Sequence, residues 1–192
     1  MKRNLAASVR QRLLNRAKKE GKPFNQLLQH FALERFLYRL GCSAYKQQFI
    51  LKGGLMFALW QAPLRRPTRD IDLLGRLSNS VEHVVSVIQT ICQEPVPDDG
   101  IIFDTKKISG KQITEGANYQ GVQVGAVREL PLPAYLGKAR IPIRIDVGFG
   151  DPLVPAPIAM SFPTLLNFPS PELLAYSRES AIAEKFQAMV FL

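Results

Sequence analysis

Apolar residues recur at helical spacing through the N-terminal part of the chain. Val9, Leu13, Leu14 and Ala17 predict a helix over about Ala6 to Lys19. Gly21-Lys22-Pro23 stops that helix and starts another. Leu27, Phe31, Leu33, Leu37 and Leu40 give the second helix, from about Pro23, an apolar face, and Gly41 ends it. The period then changes. Phe49-Ile50-Leu51 is a short apolar run that reads as a buried strand. Gly53 and Gly54 open an apolar segment, Leu55 to Trp60, that predicts the beginning of a helix. Asp70-Ile71-Asp72-Leu73-Leu74 reads as a strand. Ser78-Asn79-Ser80 offers an N-cap for a helix from Val81 to Cys92, with Val84, Val85, Ile88 and Ile91 on one side.

After the Pro95 to Gly100 loop the composition becomes strand-like. Ile101-Ile102-Phe103, Tyr119 to Val127 and Ile141 to Val147 are strand candidates separated by Gly- or Lys-rich turns. Asp151 to Pro157 is a proline-rich connection, and Pro163 to Leu174 is irregular with a strand signal near Leu173. A last helix starts near Arg178. Helices mixed with a few strands predict an α/β or mixed α+β fold, a small mixed sheet flanked by helices.

Two aspartates one residue apart carry the chemistry. In a strand, side chains at i and i+2 share a face, so Asp70 and Asp72 project together while Ile71 points away. Paired carboxylates repel unless a proton or cation lies between them. Magnesium with a triphosphate suits such a pair, because it takes oxygens from one or two carboxylates plus phosphates. Upstream, the Gly53-Gly54 turn lets a backbone approach a phosphate, and N–H groups at a helix start favour the anion. Downstream, Asp146 sits in a third strand-like run. Each feature has a bland alternative. The first pair could be solvated positions on an edge strand. Asp146 could pair with Arg144, which shares its face.

Composition narrows the class. No apolar run approaches the roughly 18 residues of a membrane span, and the basic N-terminus lacks the apolar core of a secretory signal. A cytoplasmic protein without membrane attachment is expected. Cys42 and Cys92 are too few for a disulfide framework, and no Cys/His cluster has zinc spacing. The formal charge of +9 suits a polyanionic partner or simply solubility. Lys2, Arg3, Arg10, Arg12, Arg16, Lys18, Lys19 and Lys22 crowd the N-terminus, as a solvated helix face or a nucleic-acid surface. Arg65, Arg66 and Arg69 lie just before the aspartate pair and are candidates for phosphate or nucleic-acid contact, or for pairing with those aspartates. His30 and His83 fall in predicted helices as packing or surface residues, and Trp60 reads as core. Phe149 reads as core, with a base pocket as the alternative.

Several segments in order resemble one known family. They are Leu51-Lys52-Gly53-Gly54-Leu55, Arg66-Pro67-Thr68-Arg69-Asp70-Ile71-Asp72-Leu73-Leu74, Asp104 and Tyr119-Gln120-Gly121. Arg144-Ile145-Asp146-Val147-Gly148-Phe149-Gly150-Asp151 and Ala183-Glu184-Lys185 follow. Together these resemble the AbiEii/AbiGii toxins, nucleotidyltransferase-like proteins of bacterial type IV toxin–antitoxin and phage-defence systems. The resemblance implies a polymerase-beta-type nucleotidyltransferase fold. Residues 1–41 would be an N-terminal helical annex, and 42–192 the nucleotidyltransferase-like core. Relatives continue past the Ala183-Glu184-Lys185 helix into further helices, so the C-terminal helical part of the core is expected to be missing. A second departure is Gln123, where relatives carry an arginine.

Carried over residue by residue, the resemblance implies that Lys52, Gly53, Gly54 and Lys185 bind the nucleotide. Asp70, Asp72 and Asp146 would be catalytic and would hold two magnesium ions, with Asp146 helping to activate the attacking hydroxyl. The implied reaction moves a nucleotide from an NTP to an RNA, with tRNA as one candidate, and an antitoxin would act indirectly. Two alternatives stay open: transfer to protein or a small molecule, and an inactive remnant that only binds nucleotide or RNA. Lys185 could equally be a solvated helix lysine. The last helix carries Ile182, Phe186, Met189 and Val190 at helical spacing. That predicts an exposed apolar patch and, through it, a homo-oligomer.

Overall fold

The computed structural model describes residues 4–60, 68–113, 120–126 and 132–190. Among the described residues the helices are α1 (Leu5–Glu20), α2 (Phe24–Cys42), α3 (Met56–Leu59), α4 (Val81–Cys92) and α5 (Arg178–Val190). The strands are β1 (Phe49–Lys52), β2 (Asp70–Gly75), β3 (Ile101–Phe103), β4 (Ile108–Ile113), β5 (Gln120–Ala126), β6 (Leu132–Leu136), β7 (Ala139–Phe149), β8 (Ile158–Ser161) and β9 (Glu172–Ala175). The predicted fold class holds: a mixed sheet is flanked by helices. At nine strands the sheet is larger than the small one expected.

Local signals explain the helix limits. The Asn4 carboxamide accepts from the Ala7 N–H at 3.1 Å, and Gly21, in the left-handed region at φ 64°, closes α1. Ser80 caps α4 by accepting from the His83 N–H at 3.3 Å. The segment after Gly53 is less helical than predicted. A 3-10 turn over Gly53–Leu55 leads into α3, which is a single turn.

Strand order is β3-β6-β7-β2-β1-β9-β8, with β5 also on β7 and β4 on β5. β2 is parallel to β7, and β1 is antiparallel to β2 but parallel to β9. The long strand β7 is the spine: its first half pairs with β6 and its second half with β5. Apolar residues of α1, α2, α4 and the sheet merge into one core, including Val9, Leu13, Phe31, Phe36, Ile71, Ile88, Ile145 and Val147. Phe149 belongs to that core, its ring standing where a side chain on Gly75 would be.

Helix α2 also buries charges. Arg39 forks onto Asp99 at 2.8 and 3.1 Å and donates to the Ile101 carbonyl at 3.3 Å. Arg35 is fully buried, lies over the rings of Phe31, Tyr38 and Phe168, and donates to the Pro169 carbonyl at 2.9 Å. Glu34 lies 2.8 Å from Arg35 and accepts from the Leu165 N–H at 2.7 Å. Burial nevertheless outweighs both contacts and pushes its carboxyl up to about 7. His30 stacks on Phe162, a packing role as expected.

Candidate active site

The sheet register assembles the site. Asp72 on β2 is opposite Lys52 on β1 and Asp146 on β7, and Asp146 is opposite Gln123 on β5. Residues opposite one another across a sheet share a face, so Lys52, Asp72 and Asp146 form one row. Asp70, two residues before Asp72, adds a third carboxylate on that face and is opposite Arg144.

Asp72 is the inner member. Burial raises its carboxyl pKa, and Asp146 and then Asp70 raise it further; a hydrogen bond from the Gly54 backbone and the charge of Lys52 pull it down. Gly53 leaves room for this carboxylate, and Gly54 for Thr68. A Cβ on Gly53, whose φ is 68°, would stand 2.0 Å from Asp72 Oδ2, and one on Gly54 would stand 2.6 Å from Thr68 Oγ1. The sequence offered these glycines as a phosphate cradle with a helix start behind it. In the structure α3 is too short for an appreciable dipole, and the Gly54 N–H is directed at Asp72.

Arg144 lies along the outer edge. Its Nη2 donates to Asp70 Oδ2 at 2.9 Å, and its Nε lies 3.5 Å from Asp146 Oδ2. The Arg144 pairing weighed against a functional Asp146 is therefore present, and it also takes in Asp70. The Arg144 side chain is 46% exposed, so it can leave these oxygens at little desolvation cost.

Lys52 is used inside the protein. Its Nζ lies 2.7 Å from Asp151 Oδ2 and 2.5 Å from Glu184 Oε1, and Tyr176 donates its hydroxyl to Asp151 at 3.1 Å. Burial alone would lower the Lys52 pKa, but Glu184 and Asp151 outweigh it and hold the ammonium above the ordinary lysine range. Asp151 thus turns toward Lys52, and Glu184 on the same ammonium fastens α5 to β1. Lys185 is exposed one position beyond Glu184. Glu184 and Tyr176 were not singled out in the sequence. Only the adjacency of Glu184 to Lys185 hinted at either.

Of the basic groups, Arg69 is exposed beside β2, while Arg65 and Arg66 lie outside the described residues. The first helix spends part of its charge on packing. Arg16 donates to the Leu165 carbonyl and pairs with Glu20, and Arg12 and Arg10 lie over the rings of Phe168 and Phe24.

The donor set fits a hard divalent cation. Asp72 and Asp146 are adjacent carboxylates, the first with its pKa raised by burial and by the second, and both present only oxygen. Among the described residues no three acidic, imidazole or thiol groups close into a cage.

An acidic row on a mixed α/β sheet, beside a tight Gly-Gly turn, presents the oxygen donors that a divalent cation with phosphates takes. Residues 35–191 match the family described as nucleotidyl transferase AbiEii toxin, type IV TA system. The chain belongs to that family, as the sequence resemblance indicated. No curated protein matches the chain significantly. Two solved structures are similar at low identity. One, assigned as a nucleotidyltransferase from H. pylori, is 15% identical with a TM-score of 0.44 over 82% of this chain and 56% of that one. The other, JHP933 from Helicobacter pylori, is 17% identical with a TM-score of 0.43 over 82% and 55%. The chain therefore spans a little over half the length of either. No helix among the described residues is long and apolar enough to cross a membrane.

Proposed function

We propose that this protein transfers a nucleotide from a nucleoside triphosphate to a hydroxyl of RNA, with tRNA as the first acceptor to examine. The observation that carries the reading is the row formed by Asp72 and Asp146 in register, with Asp70 on the same face. Membership of the AbiEii family supports it.

Asp70, Asp72 and Asp146 would hold magnesium, two ions in the full complex. When bound, the metal neutralises triphosphate charge and lowers the pKa of a hydroxyl in its shell. The residues supply position and electrostatics. Asp146, at the more open side of Asp72, accepts the proton as the acceptor hydroxyl attacks the α-phosphorus. The new O–P bond forms in line with the breaking α–β anhydride bond, and pyrophosphate leaves. Asp72, fixed by the Gly54 N–H, would offer the cation an oriented carboxylate. Lys185 would reach triphosphate oxygens from α5, whereas Lys52 acts by holding α5 against β1.

Exposed Arg69 and Arg144 and the net charge of +9 support RNA as the polyanionic acceptor. The type IV description supports a cognate antitoxin acting elsewhere than on this site. Ile182, Phe186, Met189 and Val190 are more than half exposed along α5, which supports a homo-oligomer through that helix.

The test is incubation with each labelled NTP and magnesium, plus total RNA and total protein, followed by separation of the pools. Label in RNA alone is expected. Label in protein alone would replace the acceptor, and Mg·NTP binding with no labelled product would favour a binding remnant.

A further inference from the structure

Resting on the nucleotidyltransferase reading, we infer that the pocket between α3, β8 and the start of α5 is a subsite for a nucleobase. It measures about 600 Å³, and its walls include Leu59, Trp60, Pro155, Ile158, Met160 and Arg178. That is the size of a small-molecule site. Trp60 ends α3, with Phe57 against it edge-on at 5.9 Å between ring centroids. The Arg178 guanidinium lies 5.8 Å from the Trp60 ring centre. Aliphatic walls offer flat apolar contact, while Arg178 and Glu179 supply polar groups at the rim. Flat walls with a few polar groups at one edge match a heteroaromatic base. They match a phosphate poorly, since Glu179 would repel it.

The position fits the same ligand. Trp60 is six residues beyond Gly54, and Arg178 six residues before Glu184 on α5. The first stretch runs back to the Gly54 backbone that bonds Asp72, and the second runs forward to Glu184, which holds Lys52. Two independent elements thus connect the pocket to groups beside the acidic row. The base could belong to the incoming nucleotide or to the end of the acceptor RNA. Both present the same stacking face, and base–aromatic stacking tolerates either.

Trp60 is the single tryptophan of the chain, so its fluorescence reports occupancy of this pocket alone. Adenosine, guanosine, cytidine and uridine, without metal or phosphate, should quench it saturably for at least one base. Arg178→Ala should weaken that binding on the order of tenfold with an unchanged melting temperature. Prior saturation with Mg·NTP that blocks the nucleoside assigns the subsite to the donor. Blocking by a short RNA but not by Mg·NTP assigns it to the acceptor end. Thermal stabilisation by Mg·NTP with no Trp60 response to any nucleoside, nucleotide or RNA would overturn the subsite and leave the transferase reading intact. Nucleoside quenching without any transfer activity would uphold the subsite and overturn that reading. Unaltered binding in Arg178→Ala would overturn the assignment of these walls.

Discussion

Gly53→Ala should destabilise the protein well beyond the cost of a side chain in the left-handed region. The same region is occupied by Gly21, at φ 64° against 68° for Gly53, but nothing lies within 4 Å of a Cβ at Gly21. Gly21→Ala therefore measures the backbone cost alone, about 1 kcal/mol. At Gly53 the new methyl would meet Asp72 Oδ2 at 2.0 Å and Cγ at 2.6 Å. The carboxylate must swing away and give up its hydrogen bond from the Gly54 N–H, a charge-assisted bond whose loss costs about 2 kcal/mol. The sum is about 3 kcal/mol. For a chain of this size each kcal/mol lowers the melting temperature by about 2–4 °C. Differential scanning calorimetry of the two variants should then separate them by several degrees. Asp72→Ala removes the two nearest atoms, so the double variant Gly53→Ala/Asp72→Ala should recover part of the loss as a coupling energy. Equal melting temperatures for Gly53→Ala and Gly21→Ala, or strict additivity in the double variant, would refute the view that this glycine makes room for Asp72.

Three further outcomes are expected. Asp72→Asn should abolish transfer yet raise the melting temperature of the metal-free protein by about 2–4 °C. Like charges roughly 5 Å apart repel by about 3 kcal/mol at an effective dielectric of about 20, of which the Gly54 hydrogen bond and, to a smaller extent, Lys52 offset part. A lower melting temperature would contradict that sign. Glu34 has a folded pKa of about 7 against 4.5 for the free side chain, so its contribution to stability is full below pH 4.5 and is lost as pH rises through 7. Glu34→Gln should flatten chemical-denaturation stability across that window, and an unchanged pH profile would contradict the burial argument. Phe186→Asp on the exposed face of α5 should abolish any concentration-dependent association seen by sedimentation. Association that survives it would place the contact elsewhere.

The acidic row was legible in part. Period-two geometry alone put Asp70 and Asp72 on one face. Asp146 could be proposed for the site but not placed, because the parallel pairing of β2 with β7 depends on packing across distant segments. The partners of Lys52 were hidden for the same reason: Asp151 and Glu184 lie 99 and 132 residues away. Three strands escaped notice. β4 carries Gly110, Lys111 and Gln112, and β8 follows a proline-rich run. β6 contains Pro133, in register with Pro142 of β7. Glu34, Arg35 and Arg39 fall outside the apolar positions that predict α2. They are buried because Leu165, Pro169 and Asp99, far along the chain, supply their partners. Trp60, expected in the core, is half-buried at the wall of a pocket.

The position of the label in the product tests the central claim most directly. Incubation with magnesium and RNA should be run in parallel with NTP labelled at the α- or the γ-phosphate. Nucleotide transfer predicts α-label in RNA, γ-label in released pyrophosphate, and loss of both signals in Asp72→Asn and Asp146→Asn proteins that remain folded. The γ-label appearing in the acceptor, or full α-transfer by Asp72→Asn, would contradict the account.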